Sequence, residues 1–395
     1  MHTRNHLKII RRSLALAMMA GLVPAMAATH NATTVDGISI SGYIDPTYIY
    51  NQDAQVSSFF FADRNSPYYY YHSTFGDLYL DFNKKFGNGG SIDIQIMPTR
   101  GYGSTFGNPG TSHAANSIIN AAVLTLPVSK EVDFIAGQVP AWDGYESETS
   151  PQMLTITHNL LYDFSEPGYF TGAGASYTSG ILTVQTLLGN SWNTAYTGSA
   201  APTKAPTFEY RVSLAPSSAL SFGLYGTIGK NPTLTNPGVE TTRIYNDFDG
   251  TYTLGAATFN WQFDLGHQTA AAANGGNAMW YGTSLLANYR FTPLVGATLR
   301  YDYLNDKKNG GHVASFTHPD YLDGFAPTSA PAPGVNNGPV RQAVTADLLL
   351  YPVKNTIVKF EYRYDRANGA LFLDTATGGY KKSNNVLAAQ IVYSF

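Results

Sequence analysis

Residues 141–167 bring Asp143, Glu146, Glu148, His158, Asp163 and Glu166 into one short stretch. Side chains of this kind support two chemistries. Carboxylates gathered around an aqueous passage attract cations. A carboxylate beside a histidine, for instance Asp163 with His158, moves protons in general acid–base catalysis. The second chemistry lacks its usual companions, because the chain has no GxSxG elbow and no HExxH pair. His113, His267, His312 and His318 also fall in or near connecting segments, where a histidine is ordinarily a solvated polar group. An enzyme is therefore not expected. Nor is a metal or cofactor: a chain without Cys has no thiolate ligand or nucleophile, and neither GxxxxGK[ST] nor GxGxxG opens a helix.

A second set is basic. Arg211, Arg300, Lys359 and Arg363 each have an acid two positions away, at Glu209, Asp302, Glu361 and Asp365. On a strand, residues two apart share a face. The spacing predicts a wall of same-face ion pairs with mild selectivity, rather than a dedicated anion site.

Both sets need strands to hold them, and the chain alternates in period two from residue 38 to its last residue. Phe259, Trp261, Phe263 and Leu265 alternate with Asn260, Gln262 and Asp264. Leu299, Tyr301 and Tyr303 alternate with Thr298, Arg300 and Asp302, and Phe360, Tyr362 and Tyr364 with Lys359, Glu361, Arg363 and Asp365. Ile92, Ile94 and Ile96, and Leu78, Leu80 and Phe82, repeat the pattern earlier. One face of each strand is apolar and the other polar.

The connections alternate as well. Long ones at 52–74, 99–115, 141–167, 191–205, 230–242, 268–277, 305–339 and 367–383 are separated by short Gly-, Pro- or Ser-bearing turns. Sixteen strands follow, or fourteen should the hairpin within 245–268 dissolve. The expected fold is all-β: a transmembrane antiparallel β-barrel with short periplasmic turns and long extracellular loops. A barrel of this size encloses a water-filled interior. Arg211, Arg300, Lys359 and Arg363 then face the lumen, where charge is tolerated, and the apolar faces meet lipid.

Composition agrees. Only 13% of the 395 residues are charged, against about a quarter in ordinary soluble proteins. Yet mean hydropathy is just −0.15, and no stretch reaches the ~18 apolar residues of a membrane helix. The chain has 28 Tyr and 38 Gly; tyrosine suits interfacial belts. Residues 1–27 read as a signal peptide, with Arg4, Lys8, Arg11 and Arg12, the apolar run LALAMMAGLV, and Ala25-Met26-Ala27 before the cut. The barrel would then occupy 28–395. The leader carries no acid, so its removal makes the chain more acidic than the full-length −3. That charge disfavours nucleic acid.

Within 141–167, Met153, Leu154, Ile156, Leu160, Leu161, Tyr162 and Phe164 supply an apolar core that a free-standing loop does not need. The segment is expected to fold into the barrel and narrow it; the alternative is packing over the mouth or against a neighbouring subunit. The 305–339 connection, rich in Pro, Gly and Asn, reads as an irregular external segment.

The last strand places Leu387, Ala389, Ile391, Tyr393 and Phe395 on one face. It looks like the terminal strand of Gram-negative outer-membrane barrels, which their assembly machinery reads. Residues FIAGQVPAWDGYE (134–146) and THNLLYDFSEPGYFTGAGASY (157–177) resemble the OmpL-like porin-2 group. Gly144-Tyr145-Glu146, Glu166-Pro167, Thr171-Gly172 and Tyr177 match its pattern, whereas Thr157-His158-Asn159 replaces a Ser-Arg-Ser-like triplet. The resemblance implies an outer-membrane channel-forming protein without defining its solute. Passive diffusion of small hydrophilic solutes, with a mild cation preference, is the function expected. An adhesive or structural barrel is the alternative, and a barrel hydrolase a more distant one. A homotrimer is expected only by analogy with sixteen-stranded porins.

Overall fold

Period-two alternation becomes strands wherever it occurs among the residues that the computed structural model describes: 33–53, 56–60, 76–87, 89–97, 119–190, 205–232, 239–272, 275–306, 340–370 and 372–395. The leader, nearly all of 305–339, and His113, His312 and His318 lie outside these residues.

Sixteen antiparallel strands form a closed barrel. They are β1 (Ile38–Ile44 with Thr47–Asn51), β2 (Val56–Phe60 with Leu78–Lys85), β3 (Ser91–Ile96), β4 (Ile119–Pro127), β5 (Val132–Pro140), β6 (Tyr169–Ser179), β7 (Leu182–Gly189) and β8 (Thr207–Ser217). The second half comprises β9 (Leu220–Pro232), β10 (Glu240–Leu254), β11 (Ala257–Gln268), β12 (Ala278–Thr292), β13 (Val295–Asn305), β14 (Val340–Leu350), β15 (Thr356–Ala367) and β16 (Ser383–Ser394). Each strand pairs with the next, and β16 pairs with β1 in the register Val386↔Asn51 and Tyr43↔Ser394. Gly42 and Phe395 exchange backbone hydrogen bonds of 3.0 and 2.9 Å at this junction. The 245–268 region is one unbroken hairpin, β10–β11, so the count is sixteen and not fourteen.

The 52–74 connection is corrected. The chain turns back at once, and Val56–Phe60 pairs with Thr47–Asn51. Cross-strand contact explains the return: the Tyr48 and Phe59 rings lie 4.9 Å apart, and Tyr48 Oη is 2.8 Å from Ser57 Oγ. Residues 367–383 also carry structure, a two-stranded ribbon of Phe372–Asp374 and Gly379–Lys381.

The two faces are inverted relative to a soluble sheet. Phe263 is 46% exposed while its neighbour Asp264 is 3% exposed. Leu299 is 58% exposed and Arg300 fully buried. Apolar area left in water forgoes ~25 cal/mol per Å², so a band of this extent belongs against hydrocarbon. No helix among the described residues is long and apolar enough to cross a membrane; the strands make the crossing.

The core lies inside the barrel. Tyr225, Tyr245, Trp280 and Leu304 project inward from β9, β10, β12 and β13 and pack with Leu160, Leu161 and Phe164 of the segment joining β5 to β6. Tyr245 and Trp280 are stacked, with ring centroids 6.5 Å apart. This core is what positions the site.

Candidate functional site

The segment from Ala141 to Gly168 is built to stay folded. Its short α-helix, α1 (Leu160–Phe164), is capped by Asn159, whose side chain accepts hydrogen bonds of 2.8 Å from the Leu161 and Tyr162 amides. Near the start, Gly144 adopts φ +69, and a Cβ there would press on the Glu166 carboxylate at 2.7 Å. Among the described residues, α1 packs against β12, β13 and β14. The Trp280 indole N–H donates to Ser165 Oγ at 3.0 Å. Arg341 of β14 lies over the Phe164 ring at 4.8 Å and over Phe372 of the ribbon at 5.1 Å.

Residues 150–158 are held by the inward charges of β13 and β15. Arg300 donates to the carbonyls of Thr157 and His158 at 2.7 and 2.8 Å, and to Thr155 Oγ1 at 2.9 Å. Arg363 reaches the His158 carbonyl at 2.7 Å, and Lys359 the carbonyls of Ser150 and Thr155 at 2.8 and 3.0 Å. Glu361 works from the opposite polarity: it accepts from the amides of Ile156 and Thr157 at 2.6 and 3.0 Å and from Thr157 Oγ1 at 2.6 Å. Backbone donors and acceptors of one short stretch are thus satisfied by side chains of alternating sign.

The carboxylates of the segment divide into tethers and a cluster. Glu146 is a tether, 2.8 Å from Arg300 Nη1 and 3.1 Å from His158 Nδ1, and it accepts the Asn159 amide at 2.8 Å. Burial works against its ionisation, but Arg300 and His158 hold it below the usual carboxylate range. Glu148 accepts from Asn120 at 2.8 Å and from the Tyr169 hydroxyl. Asp163 is buried on α1. Asp143 and Glu166 belong to the cluster. Gly144 N donates to Asp247 at 2.9 Å, and Gln262 donates to Glu166 and, at 3.0 Å, to Asp264. Burial, then Asp264, pushes the Asp143 carboxyl well above its usual range; burial, then Asp143 and Asp264, does the same to Glu166. His158, stacked on Tyr162 with centroids 3.7 Å apart, is buried and has Glu146 at its Nδ1.

The expected wall of same-face pairs is half right. Arg300 pairs with Asp302 at 3.1 Å, and Arg363 with Asp365 at 2.9 Å. Arg211 bonds Asp249 and lies 3.7 Å from Asp247, while Glu209 accepts from Tyr225 at 3.0 Å. Lys359 and Glu361 turn to the segment. The reason for Arg211 is space: Asp249 lies two strands away, and the intervening strand β9 places Gly223 opposite Asp249, so no side chain blocks the path. Arg211 reaches Asp249 by lying flat on Gly223, where a Cβ would meet its guanidinium at 2.6 Å.

Sequence reasoning missed the opposed acids. Asp247 stands directly across from Asp264, and Asp347 from Glu361. Asp45 and Asp77 continue the register of Tyr43↔Tyr79, with Asp45 N donating to Asp77 O at 3.2 Å. Like charges so placed repel. The turns at 255–256 and 351–355 fix the first two pairings, so hairpin register was the signal that finds them.

A closed barrel with an apolar outside, a charged inside and a segment strapped across the inner wall defines the porin type of fold. OmpT, an outer membrane protein of Vibrio cholerae, has it at 10% identity and a TM-score of 0.55, over 92% of this chain and 100% of that one. The anion-selective porin from Comamonas acidovorans matches at 12% identity and 0.54, over 91% and 99%. Salmonella typhi OmpF, in complex with daunomycin, matches at 12% and 0.55, over 92% and 100%. No curated protein matches by sequence. The chain belongs to the family described as "Protein of unknown function (DUF3138)", whose pattern spans residues 10–395. The OmpL-like likeness read from 134–177 stays a resemblance within this wider porin fold.

Proposed function

We propose that the protein is an outer-membrane channel passing small hydrophilic solutes by diffusion, with segment 141–168 as its constriction. One observation carries the reading: the segment bonds inward side chains of β10, β11, β12, β13 and β15, so it crosses the passage that the strands enclose. The proposal places the barrel in the outer membrane, exported by its leader and recognised by assembly machinery through β16, with homotrimerisation an open expectation.

The proposed preference is for cations. Arg300, Arg363 and Lys359 are spent on backbone carbonyls and acids, which leaves them little reach toward a passing anion. Buried acids outnumber buried bases among the described residues. The Comamonas acidovorans porin, anion-selective by name, shares the fold, so selectivity must come from side chains.

A second reading has its own support. Leu160, Leu161 and Phe164 pack on Trp280 and Tyr245 as a protein core does, which favours a sealed barrel with a structural or adhesive role. Planar-bilayer recordings separate the two. A channel gives single-channel steps, and its reversal potential in a salt gradient reports cation preference that shrinks in Glu148→Gln. Absence of conductance in the intact protein, with conductance restored by excising 150–158, sinks the channel reading.

A further inference from the structure

The three opposed acid pairs are not equivalent. Asp247 has Arg211 at 3.7 Å. Asp347 and Glu361 lie on the wall that carries Lys359 and Arg300, both of which act electrostatically on Asp347. Asp45 and Asp77 have no basic side chain in ion-pair contact among the described residues. Lys359 acts electrostatically on Asp45, but its ammonium is committed to the Ser150 and Thr155 carbonyls. Glu148 adds another like charge in the neighbourhood of Asp77.

Asp45 is well supplied with donors. It accepts from the Asp77 amide, from Ser150 Oγ, and from Gln390 Nε2 at 3.0 Å. Asp77 is the reverse. Its side chain is fully buried, and neither carboxylate oxygen has a hydrogen-bond partner. Beside the pair, the Tyr43 hydroxyl is also buried and unpartnered; its ring is stacked on Tyr79 at 5.2 Å, on the same inward face. Three orphaned oxygens therefore sit around two opposed carboxylates. An unpaired charge in such a place is strongly disfavoured. Oxygen-only donors of this kind suit a hard cation such as Ca²⁺.

We propose that Asp45, Asp77 and the Tyr43 hydroxyl form a binding site for a hard divalent cation, which fastens the β1–β2 junction and, through Ser150, the inward segment. Asp77 supplies both oxygens, Asp45 its remaining lone pair, and Tyr43 a neutral oxygen. It is a two-carboxylate site; no group of three or more His, Asp or Glu is spaced to hold a metal among the described residues. The site does not depend on whether the barrel conducts.

The test uses the full-length protein purified in detergent, with Ca²⁺ and Tb³⁺ as probes. Tb³⁺ should give emission sensitised by the Tyr43–Tyr79 stack, abolished by excess Ca²⁺ and at least tenfold weaker in Asp77→Asn. Asp347→Asn, a buried acid three strands away on β14, should leave it unchanged. Ca²⁺ should also raise the thermal midpoint of the wild-type protein, and Asp77→Asn should be more heat-resistant than the wild type in chelator because a like charge is gone. No Ca²⁺-displaceable emission and no Ca²⁺-dependent midpoint in the wild type would mean that Asp77 carries a proton, and overturns the site. Equal binding by Asp77→Asn overturns it too. Should that variant fail to fold, the wild-type titration alone decides. Unchanged conductance in a variant that has lost cation binding leaves the channel reading standing, so the two fail separately.

Discussion

Arg300 and Glu146 meet at 2.8 Å across the barrel interior although 154 positions separate them in the chain. The guanidinium also binds Asp302, Thr155 Oγ1 and two segment carbonyls, so it joins the wall to the segment through carboxylate, hydroxyl and carbonyl acceptors. Removing one partner of a buried pair costs ~3–5 kcal/mol because the other charge is left stranded. Arg300→Met should therefore destabilise the protein by that order, and Arg300→Met/Glu146→Gln by less than the two single changes together. Urea unfolding of the four proteins measures the coupling.

Glu361 satisfies two backbone amides of the segment at once. Glu361→Gln keeps the shape but replaces a charged acceptor by a neutral one whose N–H₂ has no use there. Faster hydrogen exchange at the Ile156 and Thr157 amides, with the strands' protection unchanged, is the expected result. Unchanged exchange at those two amides would show that the segment is held by other contacts.

Trp280 fills the space between β12 and α1 and is fully buried. Trp280→Ala should cost ~3–5 kcal/mol through lost contacts and a cavity. Since its cavity opens beneath the segment, larger or noisier single-channel currents are expected alongside the fall in unfolding midpoint.

The acids of the segment predict opposite pH limbs. Glu146 is held below its usual range, so its stabilisation is present above that range and is lost as pH falls through its folded value. Asp143 and Glu166 are pushed well above theirs. Their stabilisation is complete below the ordinary carboxylate range and drains away as pH rises through the folded values. Unfolding midpoints should decline on the alkaline side, and Asp143→Asn/Glu166→Gln should flatten that decline while leaving the acid limb in place.

Phe263 and Asp264 are adjacent but belong to different solvents. Phe263→Arg puts a charge on the lipid face, at ~2–4 kcal/mol near the bilayer midplane. Refolding into lipid vesicles should suffer, whereas Asp264→Asn on the inner face should refold at the wild-type yield.

Much of this was readable from alternation alone. Arg300 and Arg363 were placed inward by parity, and each found its expected acid at Asp302 or Asp365. Parity gives the face but not the neighbour. Arg211 chose Asp249 through a glycine gap on the intervening strand, which only register reveals. Val56–Phe60 is not legible in the sequence because five residues are too few to show a period, and its pairing depends on the Tyr48–Phe59 contact. The apolar residues 153–164 announced a folded segment, but not that its backbone would be bound by Lys359, Glu361 and Arg363. Those contacts span more than two hundred positions, and nothing local encodes them.

That separation has a consequence for how the molecule is assembled. Segment 141–168 leaves the ribosome before β10 to β15, the strands that carry most of its partners; Ser150 waits for Lys359, 209 positions later. Until β13 and β15 exist, residues 150–158 lack the inward charges that satisfy their polar backbone, and ordering them early would bear the entropy of an enormous loop with little return. Docking must therefore come late, as a step that follows the gathering of the wall. Refolding should show strand formation outrunning the burial of Trp280, with the strap drawn tight last.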